Sequence, residues 1–188
     1  MDRFELRTLL AGMDLPKGSA EAPFARQMLD LLDATPDCFA RTDFPAHFTG
    51  SALVVSADCQ QVLLHHHRKL NRWMQFGGHC ERDANILEVA HREALEESGI
   101  KGLRETSGSP FDLDIHEIPA RPETGEPAHF HYDVRFLFLA PEAARFTTSD
   151  ESLQLRWFTA AEWPALALSS GLRRILEKWE NLRASARC

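Results

Sequence analysis

The sequence lacks any uninterrupted apolar run of the roughly 18 residues that a membrane-spanning helix needs. Its start, MDRFELRTLLAGMD, has acidic residues inside the apolar pattern, which is not typical of a secretory signal. Basic residues are also in deficit, because 21 Lys and Arg stand against 28 Asp and Glu, a formal net charge of −7. Since proteins that bind DNA or RNA usually present a basic face, we expect neither a nucleic acid polymer nor a membrane as partner.

Cysteine is scarce and scattered, and the four residues Cys38, Cys59, Cys80 and Cys188 form no CxxC pair. We therefore predict ordinary thiols in a reducing cytoplasm. The sequence also shows no internal repeat, low-complexity segment or clear linker. Its 188 residues suit a single domain. We expect one compact unit, in which a helical extension of residues 1–45 packs on a core of residues 46–188.

Strand and helix patterns alternate after the extension. Alternating or continuous apolar residues predict strands at 52–58, 62–68, 129–140 and 153–158, and helical spacing predicts a helix over about 85–98. A closing amphipathic helix is predicted through Leu172, Ile175, Leu176, Trp179 and Leu182. Hairpins interleaved with helices favour an α/β fold with a mixed sheet.

The segment REALEESG places three carboxylates, those of Glu93, Glu96 and Glu97, at the end of the predicted helix. Their spacing puts them on one helical face, where each like-charged pair costs about 0.2–0.5 kcal/mol. Gly99 follows at the position of a left-handed C-terminal cap, so the carboxylates also face the negative end of the helix dipole. A bound hard cation would make this negative charge favourable, since Mg²⁺ binds carboxylate oxygens together with substrate phosphates. A solvated acidic face is the alternative for an isolated ExxEE.

The wider segment resembles the box of the Nudix hydrolase family, G-x5-E-x7-R-E-U-x-E-E-x-G-U, where U is aliphatic. Gly78 and the run from Arg92 to Ile100 fall in register with this pattern, whereas Ala84 replaces the first glutamate. VLLHHHRK, HYDVRFLFLA and ESLQLRWF extend the resemblance over about residues 48–165, and HHHRKLNRWMQFGGHC is similar to a bacterial subgroup. The resemblance implies an α/β/α sandwich with a mixed sheet, to which N-terminal helices and a C-terminal helix are added.

The function that the resemblance implies is divalent-metal-dependent hydrolysis of a P–O–P linkage, in a nucleoside diphosphate linked to another moiety. It implies Mg²⁺ or Mn²⁺ as the cofactor and a small diphosphate as the substrate. Because Ala84 departs from the box, the alternative is a catalytically weak or inactive module that binds nucleotides or regulates. Asp83 and Glu81 are close enough in sequence to compensate for Ala84. The oligomeric state is left open, with a homodimer among the alternatives.

The resemblance also assigns roles to residues. Glu96 and Glu97 match the principal metal ligands, and Glu93 matches a ligand or the base that activates water. The main-chain carbonyl of Gly77 is a further ligand of the family's type, and Arg92 orients the carboxylates. Outside the box, we predict Glu151 as an additional catalytic carboxylate, because it directly precedes the strand after the variable loop.

Aromatic, basic and histidine side chains near the box are candidates for substrate binding. Arg72 is suited to contact phosphates and Trp73 to stack on a base. In HFHYD, His131 and Asp133 share a strand face with His129. His131 and Asp133 are candidates to line the substrate pocket, and structural hydrogen bonding is the alternative. A zinc site on the HHH run is an alternative interpretation. It would need His65 and His67, which share a face, to converge with His79, His129 or His131.

Overall fold

The computed structural model describes residues 1–185, in which four helices and eight strands alternate. The helices are α1 (Arg3–Gly12), α2 (Glu21–Ala34), α3 (Ile86–Ser98) and α4 (Ser170–Ala184). The strands are β1 (Ala46–Val55), β2 (Gln61–His67), β3 (Arg72–Met74), β4 (Phe76–His79), β5 (Arg104–Glu105), β6 (Asp112–Ile118), β7 (His129–Leu139) and β8 (Ser152–Thr159). Two short 3₁₀ turns lie at Pro122–Thr124 and Trp163–Ala165. The helices predicted before residue 45 and at the end of the chain are confirmed.

All eight strands belong to one mixed sheet, which confirms the predicted α/β fold with flanking helices. The hydrogen-bonded order is β3-β2-β1-β7-β5, with β4 beside β1, β6 beside β7 and β8 beside β2. Two antiparallel pairings position the residues discussed below. In the β2–β8 pair, His65 lies opposite Leu155. In the β6–β7 pair, Asp112 lies opposite Arg135 and Asp114 opposite Asp133.

The chain divides into two compact units. The first contains residues 1–50, 78–90 and 109–136, and its core includes the fully buried Leu6, Met28 and Phe48. The second contains residues 51–77, 91–108 and the chain from Leu137 onward, and its core includes the fully buried Leu64 and Trp179. Neither unit has a boundary between residues 45 and 46, so the division into an extension and a core stays a prediction.

Helix α3 carries the predicted carboxylates, and its apolar side explains why it forms. Ile86, Val89, Ala90 and Ala94 are fully buried, whereas Leu95 is 38% exposed. The helix ends at Gly99, which has φ +68° and whose N–H donates to the Leu95 carbonyl at 2.8 Å. The predicted left-handed glycine cap is thus confirmed.

The cysteines differ from the expectation at one position. Cys38 and Cys80 are buried free thiols, but Cys59 is disulfide-bonded, so the prediction of an ordinary thiol is wrong for Cys59. The prediction for Cys188 lies outside the described residues. Among residues 1–185, the structure contains no helix that is both long and apolar enough to cross a membrane.

Candidate active site

The last turns of α3 place the three glutamates in three different environments. Glu97 is only 7% exposed, Glu93 is half-buried and Glu96 is exposed. The sequence predicted one shared acidic face, but burial separates the three side chains. The chemistry of the site therefore depends most on Glu97.

Glu97 is a buried carboxylate held by the main chain of β4. Its Oε2 accepts a hydrogen bond from the Gly77 N–H at 3.0 Å. Burial raises its pKa from 4.5 to about 8, and the charges of Glu151, Glu93 and Glu96 act in the same direction against the Gly77 hydrogen bond. The anion is therefore the disfavoured form of Glu97 in this environment.

Glu93 is paired with the arginine that precedes it. Arg92 Nη2 donates to Glu93 Oε1 at 3.0 Å, an arrangement consistent with the predicted orienting role. Burial raises the pKa of Glu93, although the hydrogen bond and the charge of Arg92 lower it. Glu93 is thus a carboxylate fixed in direction but still easier to protonate than one in water.

The segment before β8 carries Glu151, and Arg68 holds it in place. The Arg68 main-chain N–H donates to the Glu151 carbonyl at 2.7 Å, and its guanidinium donates to the carbonyls of Asp150 at 2.9 Å and Ser152 at 3.1 Å. The Glu151 side chain is exposed, yet its charge contributes to the raised pKa values of Glu93 and Glu97. Arg68 thus holds the main chain around Glu151, and the sequence did not predict these contacts.

His65 joins the same group of residues and was also missed as a member of this site. Its Nδ1 lies 2.8 Å from Ser152 Oγ and 3.8 Å from Glu97 Oε1. Burial lowers the pKa of His65 to about 4, so the imidazole is neutral near pH 7 and its contact with Glu97 is not an ion pair. The sequence signal was the HHH run, but the partner Ser152 depends on the pairing of β2 with β8.

These residues fit a divalent metal ion. The side-chain donors at the end of α3 are carboxylate oxygens, which are the ligands that Mg²⁺ and Mn²⁺ prefer. Burial makes a negative charge on Glu97 unfavourable, and a cation beside it would offset that cost. The ligand assignments of Glu93, Glu96, Glu97 and the Gly77 carbonyl stay predictions.

Two of the predicted substrate-binding residues, Arg72 and Trp73, lie in the second unit on β3. Arg72 is exposed, so its guanidinium is accessible to an anionic group. The half-buried Trp73 ring packs edge-on against Phe158 at 4.8 Å and against His66 at 5.1 Å between centroids. Packing against these two rings holds the orientation of the indole.

The other two predicted substrate-binding residues, His131 and Asp133, lie in the first unit on β7. Asp133 is buried, and its oxygens accept from Thr49 Oγ1 at 3.0 Å and from Arg135 Nε at 2.7 Å. These contacts are structural and compete with a substrate role for Asp133. His131 packs among other imidazoles, at centroid distances of 5.0 Å from both His47 and His79.

The histidines do not converge in the way that the zinc alternative required. His65 contacts Ser152, and His67 Nδ1 accepts from the main-chain N–H groups of Lys69 and Leu70 in the following turn. The histidines that do come together are His47, His79 and His131, whose ligand atoms all lie within 4.8 Å of one another. His47 was not considered in the sequence analysis because AHFT offers no motif around it.

The two acidic residues near Ala84 contact other groups of the chain. Asp83 Oδ1 accepts from the Asn85 N–H at 2.9 Å, and Glu81 Oε1 lies 3.6 Å from Arg41 Nη1. Both side chains are exposed. Their compensation for the missing box glutamate stays a prediction.

Comparison with known proteins supplies a family model and several similar structures. The model, described as the NUDIX domain, matches residues 47–179. A search of curated protein sequences found no match. A NUDIX-family hydrolase from Clostridium perfringens is 24% identical, with a TM-score of 0.52 over 72% of this chain and 97% of that one.

Two further solved structures have a similar fold. The Ap4A hydrolase of C. elegans, in a binary complex, is 14% identical, with a TM-score of 0.59 over 73% of this chain and 98% of that one. The dihydroneopterin triphosphate pyrophosphohydrolase of E. coli is 19% identical, with a TM-score of 0.54 over 70% and 92%. At these identities the structures support the fold and do not transfer a substrate.

Proposed function

The chain belongs to the Nudix family of pyrophosphohydrolases, and from this premise we propose that it hydrolyses the P–O–P linkage of a nucleoside diphosphate bonded to another moiety. Mg²⁺ or Mn²⁺ is the proposed metal ion. The observation that carries the proposal is the buried Glu97 carboxylate, fixed by the Gly77 N–H at 3.0 Å and easier to protonate than a carboxylate in water. Such a group gains from a neighbouring cation.

The residues of the site have different roles in the proposed reaction. The reaction needs water to attack one phosphorus atom while negative charge develops on the phosphate oxygens. A bound divalent ion would stabilise that charge as a Lewis acid. Glu96, Glu97 and the Gly77 carbonyl are the proposed ligands. Glu93, directed by Arg92, is a further ligand or the base that takes the proton from water.

Two positions outside the helix complete the proposed site. Glu151 is an additional carboxylate whose charge already acts on Glu93 and Glu97. His65 is neutral, so it shapes the surroundings of Glu97 without adding a positive charge. The substrate contacts predicted for Arg72, Trp73, His131 and Asp133 stay proposals, as do a homodimer and a cytoplasmic location. Light scattering and cell fractionation would check the last two.

The first experiment is a substrate panel with Mg²⁺ or Mn²⁺. It contains ADP-ribose, nucleotide sugars, dinucleoside polyphosphates, oxidised nucleoside triphosphates and non-nucleotide diphosphates, each scored for release of phosphate or nucleoside monophosphate. Among the similar structures, one is of an Ap4A hydrolase and another is of the NUDIX domain of Shewanella oneidensis NrtR with ADP ribose, so these two ligands come first. We expect turnover of at least one compound.

The second experiment tests the central residue. Glu97→Gln should lower turnover by about 10²–10³-fold, because one group that organises the transition-state charge is lost. The melting temperature should stay the same or rise, since the variant removes a buried carboxylate whose pKa is raised to about 8. Glu105→Gln, an exposed carboxylate of the same unit, is the matched control and should change neither value. Unchanged turnover or loss of the fold in Glu97→Gln would contradict the assignment.

The alternative is a nucleotide-binding module with little or no activity, and Ala84 is the residue that favours it. It predicts tight binding of one panel compound without hydrolysis. Ala84→Glu is the variant that separates the two functions. A large gain in turnover would mean that the box carboxylate limits the present chain, whereas no turnover in either form would favour the binding module.

A further inference from the structure

Three imidazoles converge in the first unit, each from a different strand. His47 is near the start of β1, His79 is the last residue of β4 and His131 is near the start of β7. Ring centroids are separated by 5.3 Å for His47 and His79 and by 5.0 Å for each of the other two pairs. At least one ring nitrogen of each lies within 4.8 Å of the others.

The hydrogen bonds of His47 determine which of its nitrogens is available. Its Nδ1 lies 3.2 Å from the Asp43 carbonyl, and a carbonyl can only accept, so Nδ1 carries the proton and Nε2 carries the lone pair. This Nε2 is buried and has no hydrogen-bond partner among residues 1–185. Metal-binding histidines commonly donate their second ring N–H to a carbonyl in this manner, which fixes the tautomer that ligates.

A fourth imidazole shows the same pattern. His129 Nδ1 lies 2.9 Å from the Pro127 carbonyl, so its Nε2 carries a lone pair, and without a metal that Nε2 accepts a hydrogen bond of 3.3 Å from Nε2 of His131. Two nitrogens bound tetrahedrally to one zinc ion at about 2.0–2.1 Å lie about 3.3–3.4 Å apart. The Nε2 atoms of His129 and His131 are therefore already as far apart as two zinc ligands. The ring nitrogens of His47, His79 and His131 lie within 4.8 Å of one another, so these rings must turn inward to bind one ion.

Packed histidines without an ion are the alternative explanation. It leaves the lone pair of His47 Nε2 buried without a donor, which is unfavourable for a polar group.

We propose that His47, His79 and His131 bind one zinc-type transition-metal ion, with His129 as the adjacent fourth imidazole. Nitrogen ligands favour zinc and its neighbours in the first transition row over Mg²⁺, so this site differs in metal class from the carboxylates of α3. The bound ion would tie β1, β4 and β7 together in the first unit. The inference uses no property of the hydrolase reaction and holds whether or not the chain cleaves a diphosphate.

The test measures metal content in the full chain. Wild-type protein and the Glu97→Gln variant are stripped with a chelator, loaded with Zn²⁺, dialysed and assayed by mass spectrometry of the metal. We expect about one zinc per chain in both. Zinc retained by the wild type but lost in Glu97→Gln would assign the ion to the carboxylates and overturn the proposal, as would no zinc in either.

Ligand variants then locate the ion. His47→Ala and His131→Ala should each weaken zinc binding by at least about 100-fold, since loss of even an outer partner of a ligand costs about 10–100-fold. His66→Ala, a half-buried histidine of β2 outside the group, is the matched control and should retain the zinc. Equal losses in His66→Ala would overturn the assignment.

A spectroscopic measurement covers the case in which a ligand variant does not fold. Co²⁺ added to Glu97→Gln should give the strong visible absorption of a tetrahedral nitrogen site, and Zn²⁺ should displace it stoichiometrically. A weak spectrum typical of octahedral oxygen ligands would overturn the proposal without any histidine variant. In Glu97→Gln, a rise in melting temperature with Zn²⁺ but not with Mg²⁺ is the expected companion result.

Discussion

Two regions of the molecule each contain three carboxylates and one arginine, but only in one region does the arginine contact all three carboxylates. In the first unit Arg135 pairs with Asp112 at 3.1 Å, with Asp114 at 2.8 Å and with Asp133 at 2.7 Å, and all four side chains are buried. Although burial lowers the pKa of Arg135, the three charges together raise it. Each carboxylate of this network contacts the same guanidinium.

In the second unit, only one of the three glutamates of α3 pairs with an arginine. Arg92 pairs with Glu93, but Glu97 is buried against a main-chain N–H and a neutral imidazole. The comparison teaches that carboxylates bonded to a shared guanidinium have a cationic partner, whereas a carboxylate buried against neutral groups is suited to bind a metal ion. Asp112, Asp114 and Asp133 belong to the first kind, and Glu97 belongs to the second.

The largest expected effect on stability comes from replacing Arg135, which contacts three buried carboxylates. Arg135→Met keeps the side-chain volume but removes the guanidinium that contacts three buried carboxylates, so the free energy of unfolding should fall by about 3–5 kcal/mol. Denaturant titration measures this difference. Arg7→Met, which breaks the exposed pair of Arg7 with Asp33, is the control and should have little effect. If both variants lost equal stability, the Arg135 network would not be the structural cluster described here.

The second prediction concerns the three glutamates of α3. Mg²⁺ or Mn²⁺ at 100 times its dissociation constant should raise the free energy of unfolding by about 2.7 kcal/mol, because the ion binds only the folded chain. The same ion should give almost no increase in Glu97→Gln and the full increase in Glu105→Gln. Thermal unfolding with and without the ion measures this difference. If the ion stabilised Glu97→Gln as much as the wild type, Glu97 would not be part of the binding site.

The sequence could predict the parts of both regions that depend on local spacing. The interval between Glu93 and Glu97 places them on one helical face whatever surrounds the helix, and Gly99 ends that helix for local steric reasons. The strand with His131 and Asp133 was likewise predictable from its alternation. These features require only the residues that carry them and a few neighbours.

The remainder depends on strand pairing, which a single sequence does not specify. Arg135 meets Asp112 and Asp114 because β6 and β7 pair in one register, and the sequence did not predict these contacts. The acidic alternation of DLDIH opposite an arginine was the available signal. His65 and Ser152 meet through the β2–β8 register in the same way.

The smallest predicted effect tests how the second region holds its outer carboxylate. Arg68→Met removes the guanidinium bonds to the carbonyls of Asp150 and Ser152, so Glu151 between them should lose its fixed position. We expect kcat/KM to fall by less than tenfold, or about 1.4 kcal/mol. Lys69→Met, the exposed neighbour, is the control.

A double variant distinguishes positioning from a general structural effect. If Arg68 acts through Glu151, then Arg68→Met added to Glu151→Gln should cause almost no further loss of kcat/KM, because the carboxylate that Arg68 positions is already gone. Additive losses would show that Arg68 supports the second unit by another route. Either Glu151 then contributes nothing to the cluster, or its position does not depend on the main-chain bonds that Arg68 makes around it.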